Sequence, residues 1–310
     1  MNILEKTDFK NLGEKYTGKV RDVYTQKDKI ILVATDRYSA FDLNLALIPC
    51  KGQVLTQISN FWFENTKDIV SNHVIDLPDP NVVVAKKCKV ILIEMVVRGY
   101  ITGVTGTALW VLYQKGQRDF GDFILPEGMK KNQKLEKLLV TPTTKSDKHD
   151  KPLNTKIILE EKIVSEELWN KMVDISLKLF KRGQESALKR GLILVDTKYE
   201  FGLDEYGKLT LVDEIHTPDS SRYWQANTYQ ERIDQGLEPE NFDKEFLRLW
   251  FKEHCDPYKD KILPEAPQEM VEELSRRYIK IYEQITGEKF KIETDDISKR
   301  IENNLQKYKI

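Results

Sequence analysis

Residues 192–202, LILVDTKYEFG, carry the most informative chemistry in the chain. Read as a strand, the segment alternates faces: Val195, Thr197, Tyr199 and Phe201 point one way, and Asp196, Lys198 and Glu200 the other. A turn over 204–207 and a second run, KLTLVDE, predict a hairpin that brings Asp213 and Glu214 beside the row. Polar residues continue through His216, Asp219, Ser220, Ser221 and Arg222. Two readings fit. A solvated strand face can carry charges that pair with one another. Carboxylates flanked by a lysine also suit Mg²⁺ held together with substrate phosphates. A merely exposed face has no need to collect opposite charges so densely.

Four further segments carry polar groups at suggestive places. Residues 13–20, GEKYTGKV, approach the phosphate loop G-x-x-x-x-G-K-S/T, but Val20 has no hydroxyl for Mg²⁺ and no buried strand precedes it. A P-loop NTPase fold is set aside on those grounds. Gly18, Lys19 and Arg21 can still cover a polyphosphate, or form an ordinary turn with surface cations. TDRYSAFD, residues 35–42, follows a strand-like run, where polar side chains serve turns or ligands. In EMVVRGYITGVTG, residues 94–106, Glu94 and Arg98 interrupt an apolar stretch, so they must pair or face a cleft. KSDKHD, residues 145–150, reads as a mobile loop in which His149 and Asp150 are an acid–base pair or simply solvated. His73, His216 and His254 show no metal-ligand spacing.

The elements that position these groups read as follows. KIILVAT (29–35) and VVVAKKCKVILIEMVV (82–97) are β-rich runs. Between them, residues 54–70 place Val54, Leu55, Ile58, Phe61, Trp62 and Ile69 at helical spacing. Residues 126–154 are a polar, Lys-rich connection, long enough to be functional or disordered if it carries no secondary structure. Ser165 can cap a helix with Leu168, Met172, Ile175 and Leu179 on its apolar face. The C-terminal part is helical: Phe246, Leu249 and Trp250 share one helix, Val271, Leu274, Tyr278, Ile281 and Ile285 another. Thr294 can cap a last one that holds Ile297, Ile301 and Leu305.

Length and composition bound the rest. The chain has 310 residues, 40% hydrophobic and 32% charged, which suits one large domain or two intimate lobes. Lys and Arg total 49 against 50 Asp and Glu, a net charge of -1, which argues against a broad nucleic-acid face but not against a local basic pocket. No apolar stretch approaches the roughly 18–20 residues of a membrane span. Cys50, Cys88 and Cys255 form neither a Cys-x-x-Cys pair nor an even set, so no disulfide framework is expected and the cytoplasm is the expected location.

Taken together, GKVRDVY (18–24), TDRYSAFD (35–42), IEMVVRGYITG (93–103), VDTKYEFG (195–202) and DEIHTPDSSRYW (213–224) resemble the SAICAR synthetases, the phosphoribosylaminoimidazole-succinocarboxamide synthases of purine biosynthesis. The strings occur in the family's order through nearly the whole chain, and the last two are the most specific. The resemblance implies an ATP-dependent ligase joining the carboxylate of carboxyaminoimidazole ribotide (CAIR) to the amine of L-aspartate, with ATP and Mg²⁺ as cofactors. It implies an α+β, two-lobed fold: a β-rich N-terminal lobe over residues 1–120, similar to the small lobe of kinases, a larger α+β lobe over 121–310, and ATP in the cleft between. Small molecules are then the partners, with no nucleic acid or membrane; the oligomeric state is left open.

By the same resemblance, Gly18, Lys19, Arg21, Glu94 and Lys145 belong with the nucleotide, and Glu200 and Asp213 with the metal. Asp196, Lys198 and Arg98 are the implied catalytic set. Asp36, Ser39, Arg98, Thr105, Asp150, Lys198, Ser221, Arg222, Lys244 and Arg248 are implied at the substrates, Asp243 lying beside the last two in FDKEFLR. Arg21 stands where many relatives carry Lys, which keeps the charge and alters the geometry. After Gly103 many relatives have a serine that contacts the ribotide; here Val104 follows, and either Thr105 substitutes or that bond is absent. Another carboxylate–amine ligase, or a small-molecule kinase of similar architecture, is the alternative.

Overall fold

The computed structural model describes residues 2–41, 43–145, 151–242, 244–292 and 296–310. The first half runs β1 (Glu14–Thr17), β2 (Arg21–Thr25), β3 (Lys29–Ala34), β4 (Arg37–Ala40), β5 (Leu43–Leu47), α1 (Lys51–Glu64), β6 (Val74–Asp79), β7 (Val82–Lys86), β8 (Lys89–Tyr100) and α2 (Leu109–Gln114). The second runs β9 (Lys134–Val140), β10 (Thr143–Thr144), α3 (Thr155–Glu160), α4 (Glu166–Lys189), β11 (Leu192–Leu203), β12 (Leu209–Val212), β13 (Ser221–Gln225), α5 (Ala226–Asp234), α6 (Glu245–His254), α7 (Gln268–Thr286) and α8 (Ile297–Asn304).

Five strands form one antiparallel sheet in the order β1-β2-β3-β7-β6. Period-two alternation gives it two apolar faces. Leu32, Val83 and Ala85 pack on one side. Tyr24, Ile31, Val33, Val82 and Val84 pack on the other, against Leu4, Phe9 and Leu12 from the N-terminal segment and Ile301 and Leu305 from α8. Arg300 of α8 reaches Asp79 at 2.9 Å and Asn81 at 2.7 Å, which locks the helix to the sheet edge.

A second antiparallel sheet follows the order β10-β8-β11-β12, with β13 also on β11 and β9 also on β8. Its central pair sets Asp196 opposite Arg98, Lys198 opposite Val96 and Glu200 opposite Glu94. The alternate residues Tyr199 and Phe201, with Met95 and Val97, turn into the main core. That core takes Met172, Leu179 and Phe180 from α4, and extends to α1 and α7 through Ile58, Trp62, Leu274 and Tyr278. Helix α4 is capped as the sequence suggests, Ser165 Oγ accepting from the Leu168 amide at 3.2 Å. Among the described residues, strand β4 pairs only with β5, as a separate hairpin.

The fold departs from the sequence reading in several places, each with a physical reason. The polar connection 126–154 is not structureless, because β9 and β10 lie inside it and both pair with β8. Leu135 and Leu139 are buried there while the lysines face out, so solvated ammonium groups hid an edge strand. The apolar run 82–97 splits at Lys87 and Cys88 into β7 and β8, which belong to different sheets. Strand β8 therefore pairs with β11 across the expected boundary at residue 120, and α8, from the far end of the chain, covers the first sheet.

A bulge between Leu194 and Asp196 breaks the expected alternation. Val195 packs with Tyr100 and Trp224, on the opposite side from Tyr199 and Phe201. The N-cap of α8 is Asp296, whose side chain accepts from the Lys299 amide at 3.1 Å. Thr294, the cap read from sequence, lies outside the described residues.

Candidate active site

The β8–β11 pairing creates the site row. Lys198 Nζ donates to Glu94 Oε1 at 2.6 Å and to Glu200 Oε1 at 2.7 Å. The other oxygen of Glu94 accepts from Thr143 Oγ1 at 3.1 Å, and the other oxygen of Glu200 is ion-paired with Lys145. Burial disfavours the Lys198 charge, yet Glu200 and Glu94 outweigh it and hold this pKa above that of a free lysine. Glu94 and Arg98 thus face the cleft instead of pairing with each other.

One register step along, Arg98 Nη1 donates to Asp196 Oδ2 at 3.3 Å and its Nε to Thr141 Oγ1 at 2.8 Å. Arg222, opposite Asp196 on β13, donates to the same carboxylate oxygen. Burial lowers the pKa of Arg98, with Asp196 opposing. A cavity of about 450 Å³ opens beside Arg98, lined in part by Leu109, Phe120, Thr141, Thr143 and Asn154.

Strand β2 of the first sheet delivers Arg21 to the end of β12. Its guanidinium pairs with Asp213 and, at 3.0 Å, with Glu214. Burial raises the pKa of Asp213, but Arg21, Lys198 and Lys145 pull it below the usual carboxylate value. Glu214 is pushed the other way: its burial dominates, so it holds a proton more readily than a free glutamate. Asp213 has φ 65 and His216 has φ 51, so this turn carries two non-glycine residues in the left-handed region. It is braced from behind by Tyr223, whose hydroxyl donates to the His216 carbonyl at 2.7 Å.

A third cluster surrounds Asp219. Lys51 Nζ and the Tyr278 hydroxyl donate to its two oxygens, each at 2.7 Å. Burial opposes this charge, but Lys51 and Lys244 outweigh it and hold Asp219 at about 2. Lys244 itself is lowered to about 8 by burial and by the Arg248 guanidinium, with Asp219 opposing. Glu245 links the neighbours, at 3.4 Å from Arg248 and 3.9 Å from Arg222. Gly103 has φ 103 and lies so close that an added Cβ would stand 3.2 Å from Arg222 Nη2.

The residues named from sequence divide accordingly. Arg21, Glu94, Arg98, Lys145, Asp196, Lys198, Glu200, Asp213 and Arg222 come together along the two sheets. Lys244 and Arg248 join them from the start of α6. Asp36 does not: it is buried, and its two oxygens accept from the amides of Leu4 at 2.8 Å and Gly52 at 2.9 Å. Ser39 sits on the separate β4–β5 hairpin. Ser221 hydrogen-bonds Thr197 at 2.7 Å, and Thr197 alternates with the charged row, so Ser221 lies on the core side. Among the described contacts, Thr105 offers its carbonyl to the Ala108 amide. Asp150 and Asp243 lie outside the described residues.

The sequence reading did not single out Lys51, Thr141 or Thr143, and took Tyr278 only as part of a helix's apolar face. Lys51 follows Pro49 and Cys50 at a helix start and looks like any surface lysine. Only its complete burial marks it. The two threonines sit beside Pro142 in the polar connection 126–154, in which no strand was expected.

A family model described as SAICAR synthetase matches residues 14–265. The chain belongs to the SAICAR synthetase family. A phosphoribosylaminoimidazole-succinocarboxamide synthase of Legionella pneumophila (strain Paris) is 57% identical over 298 residues, 96% of each chain. Among solved structures, a SAICAR synthase from Saccharomyces cerevisiae complexed with SAICAR has a TM-score of 0.78 at 31% identity, covering 93% of this chain and 99% of that one. A type-2 SAICAR synthetase in complex with ADP has a TM-score of 0.68 at 28% identity, covering 90% and 100%. Within this SAICAR synthetase fold, the charged row lies on the two central strands of the larger sheet and the Arg21 strand approaches it from the smaller.

Proposed function

We propose that this SAICAR synthetase-family chain joins the carboxylate of CAIR to the amine of L-aspartate, converting ATP to ADP and phosphate. The observation that carries this reading is the convergence of Arg21, Lys145 and Lys198 on Glu200 and Asp213, next to the Arg98–Asp196–Arg222 set. A carboxylate repels nucleophiles, so it must be activated. A CAIR carboxylate oxygen attacks the γ-phosphorus of ATP, ADP leaves, and an acyl phosphate forms. The aspartate nitrogen then attacks the acyl carbon, loses its proton, and expels phosphate with the transferred oxygen. Such a centre gathers triphosphate, sugar phosphate and several carboxylates, and fixed cations offset that charge in a water-poor cleft.

Arg21 and Lys145 orient the nucleotide phosphates, and Lys198, held between Glu94 and Glu200, serves the ribotide and the reacting groups. Arg98 and Arg222, held by Asp196, orient CAIR by planar guanidinium bonding. Lys244 and Arg248 supply charge for the ribotide phosphate. The nucleotide cleft lies between the smaller sheet, which brings Arg21, and the larger one, which brings Glu200. On this reading the five-stranded sheet of β1, β2, β3, β7 and β6 is the kinase-like nucleotide lobe. The donors fit Mg²⁺: Glu200 and Asp213 offer only carboxylate oxygens, and no group of three or more acidic, histidine or cysteine side chains among the described residues encloses an ion. That suits a cation whose other ligands are phosphate oxygens and waters. When bound, Mg²⁺ would neutralise charge on the phosphates.

No described helix is long and apolar enough to cross a membrane. We place the reaction in the cytoplasm, where cysteines stay as thiols; among the described residues Cys50, Cys88 and Cys255 form no disulfide. The test is product identification by mass spectrometry with ATP, Mg²⁺, CAIR and L-aspartate. SAICAR should form only when all are present. A stable phosphorylated CAIR formed without any amine would move the chain to the kinase class.

A further inference from the structure

Arg37 opens β4 inside the TDRYSAFD segment, and its side chain is only 6% exposed. Its guanidinium points into the protein, toward the turn that precedes β2. Nη2 donates to the Gly18 carbonyl at 3.0 Å and Nε to the Lys19 carbonyl at 3.2 Å. The same group binds Asp22 Oδ1 at 2.9 Å and the Glu5 carbonyl at 2.5 Å. Thr35 continues the pattern: its amide at 3.0 Å and its hydroxyl at 2.9 Å both donate to the Val20 carbonyl. The Gly18 amide closes the turn on the Arg21 carbonyl at 2.8 Å.

Three successive carbonyls, of Gly18, Lys19 and Val20, are therefore drawn toward one short segment. In a planar trans peptide, C=O and the following N–H point in opposite directions. Holding the carbonyls of Gly18 and Lys19 turns the amide N–H groups of Lys19 and Val20 away from Arg37. Successive N–H groups turned out of a turn make a donor set for anions. The next residue, Arg21, extends its side chain to Asp213 at the charged row.

We infer that Arg37 is a positioning residue for the nucleotide: it fixes the backbone over 18–20 so that this turn receives the polyphosphate. The inference rests on the ATP-dependent reading above. Arg37 acts through the turn and touches no substrate. An arginine is required because its planar fork reaches three carbonyls and a carboxylate at once, whereas an ammonium on a flexible stem fixes fewer directions.

The test uses the full chain with Arg37→Met and Arg37→Lys. Equilibrium binding of Mg-ADP and the KM for ATP are measured beside the KM for CAIR and for L-aspartate, with Tm as the folding control. Loss of two charge-assisted bonds to the turn should weaken Mg-ADP and raise the ATP KM by about tenfold or more in Arg37→Met. Arg37→Lys should fall between, at about threefold, because it keeps one directed donor. The KM values for CAIR and L-aspartate should stay within about twofold, since their cations sit on other strands. A lower Tm with unchanged ADP affinity overturns the inference and leaves Arg37 as scaffold. An equal rise in all three KM values overturns it too. Should Arg37→Met fail to fold, Arg37→Lys, which keeps a cation opposite Asp22, decides on the same criteria. Wild-type protein that binds no Mg-ADP would instead sink the nucleotide reading itself.

Discussion

Lys198 stands between two carboxylates, and Glu200 between two lysines. Glu200→Gln removes the charge with little change of size. If Glu200 holds the metal, kcat should fall on the order of 10²-fold. The side chains of Lys145 and Lys198 are 38% and 32% exposed, so water screens the broken pairs and Tm should drop only slightly. Enzyme assay and thermal melt on one sample check this; near-wild-type turnover at saturating Mg²⁺ would defeat the metal assignment. Lys244 gives a pH dependence. Its folded pKa of about 8 lies below the ordinary lysine value of 10.5, so between these values the unfolded chain binds more protons. Stability contributed at this site therefore rises with pH across that window. Ribotide binding should move the opposite way, weakening above about pH 8 as the ammonium is lost. Lys244→Arg should keep its CAIR affinity to higher pH, and titration of CAIR without aspartate reads it directly. Much of this residue-level set was legible because Asp196, Lys198 and Glu200 alternate in one short string. Asp36 misled because it shares a polar string with ligand-like neighbours while its oxygens are taken by two buried amides.

At the scale of elements, the larger sheet was half visible. The hairpin of β11 and β12 follows from alternation and a glycine turn, and α4 from a cap and an apolar stripe. The bulge at Val195 carries no local mark, since valine suits either face; only the packing of Tyr100 and Trp224 chooses. Pairing between β8 and β11 is long-range and was equally silent. Helix α4 then meets the turn behind Asp213 at Gly183, where an added Cβ would stand 2.5 Å from a His216 ring carbon and 2.7 Å from Leu194. Gly183→Ala should cost about 1–3 kcal/mol through overpacking. Since His216 lies in the same turn as Asp213, we expect a higher Mg²⁺ requirement along with the lower Tm. A melt that falls while the Mg²⁺ titration stays unchanged would show that the turn moves independently of the helix.

Over the whole molecule, the two ends of the chain meet under the first sheet. The Ile310 amide donates to the Asn11 carbonyl at 2.7 Å, and Gln26 donates to the Tyr308 carbonyl at 2.7 Å. Arg300 faces Asp79, whose side chain is fully buried. Arg300→Met leaves that carboxylate with only the Asn81 amide and the Asn304 side chain, and no cation, and should cost about 1–3 kcal/mol. The loss should appear as early amide exchange in β6 and β7, with β8 and β11 still protected; uniform loss across both sheets would show instead that the molecule opens as one unit.

The same arrangement sets an order of events during synthesis. Strands β2, β3 and β7 leave the ribosome early, but Ile301 and Leu305, which close their underside, are made long after them. At about 5–20 residues per second, that apolar face waits on the order of 10–40 s for its cover. Meanwhile Leu4, Phe9 and Leu12 are its local company. A nascent chain halted before residue 296 should therefore bind a chaperone that recognises exposed apolar strands, and release it once the last helix emerges.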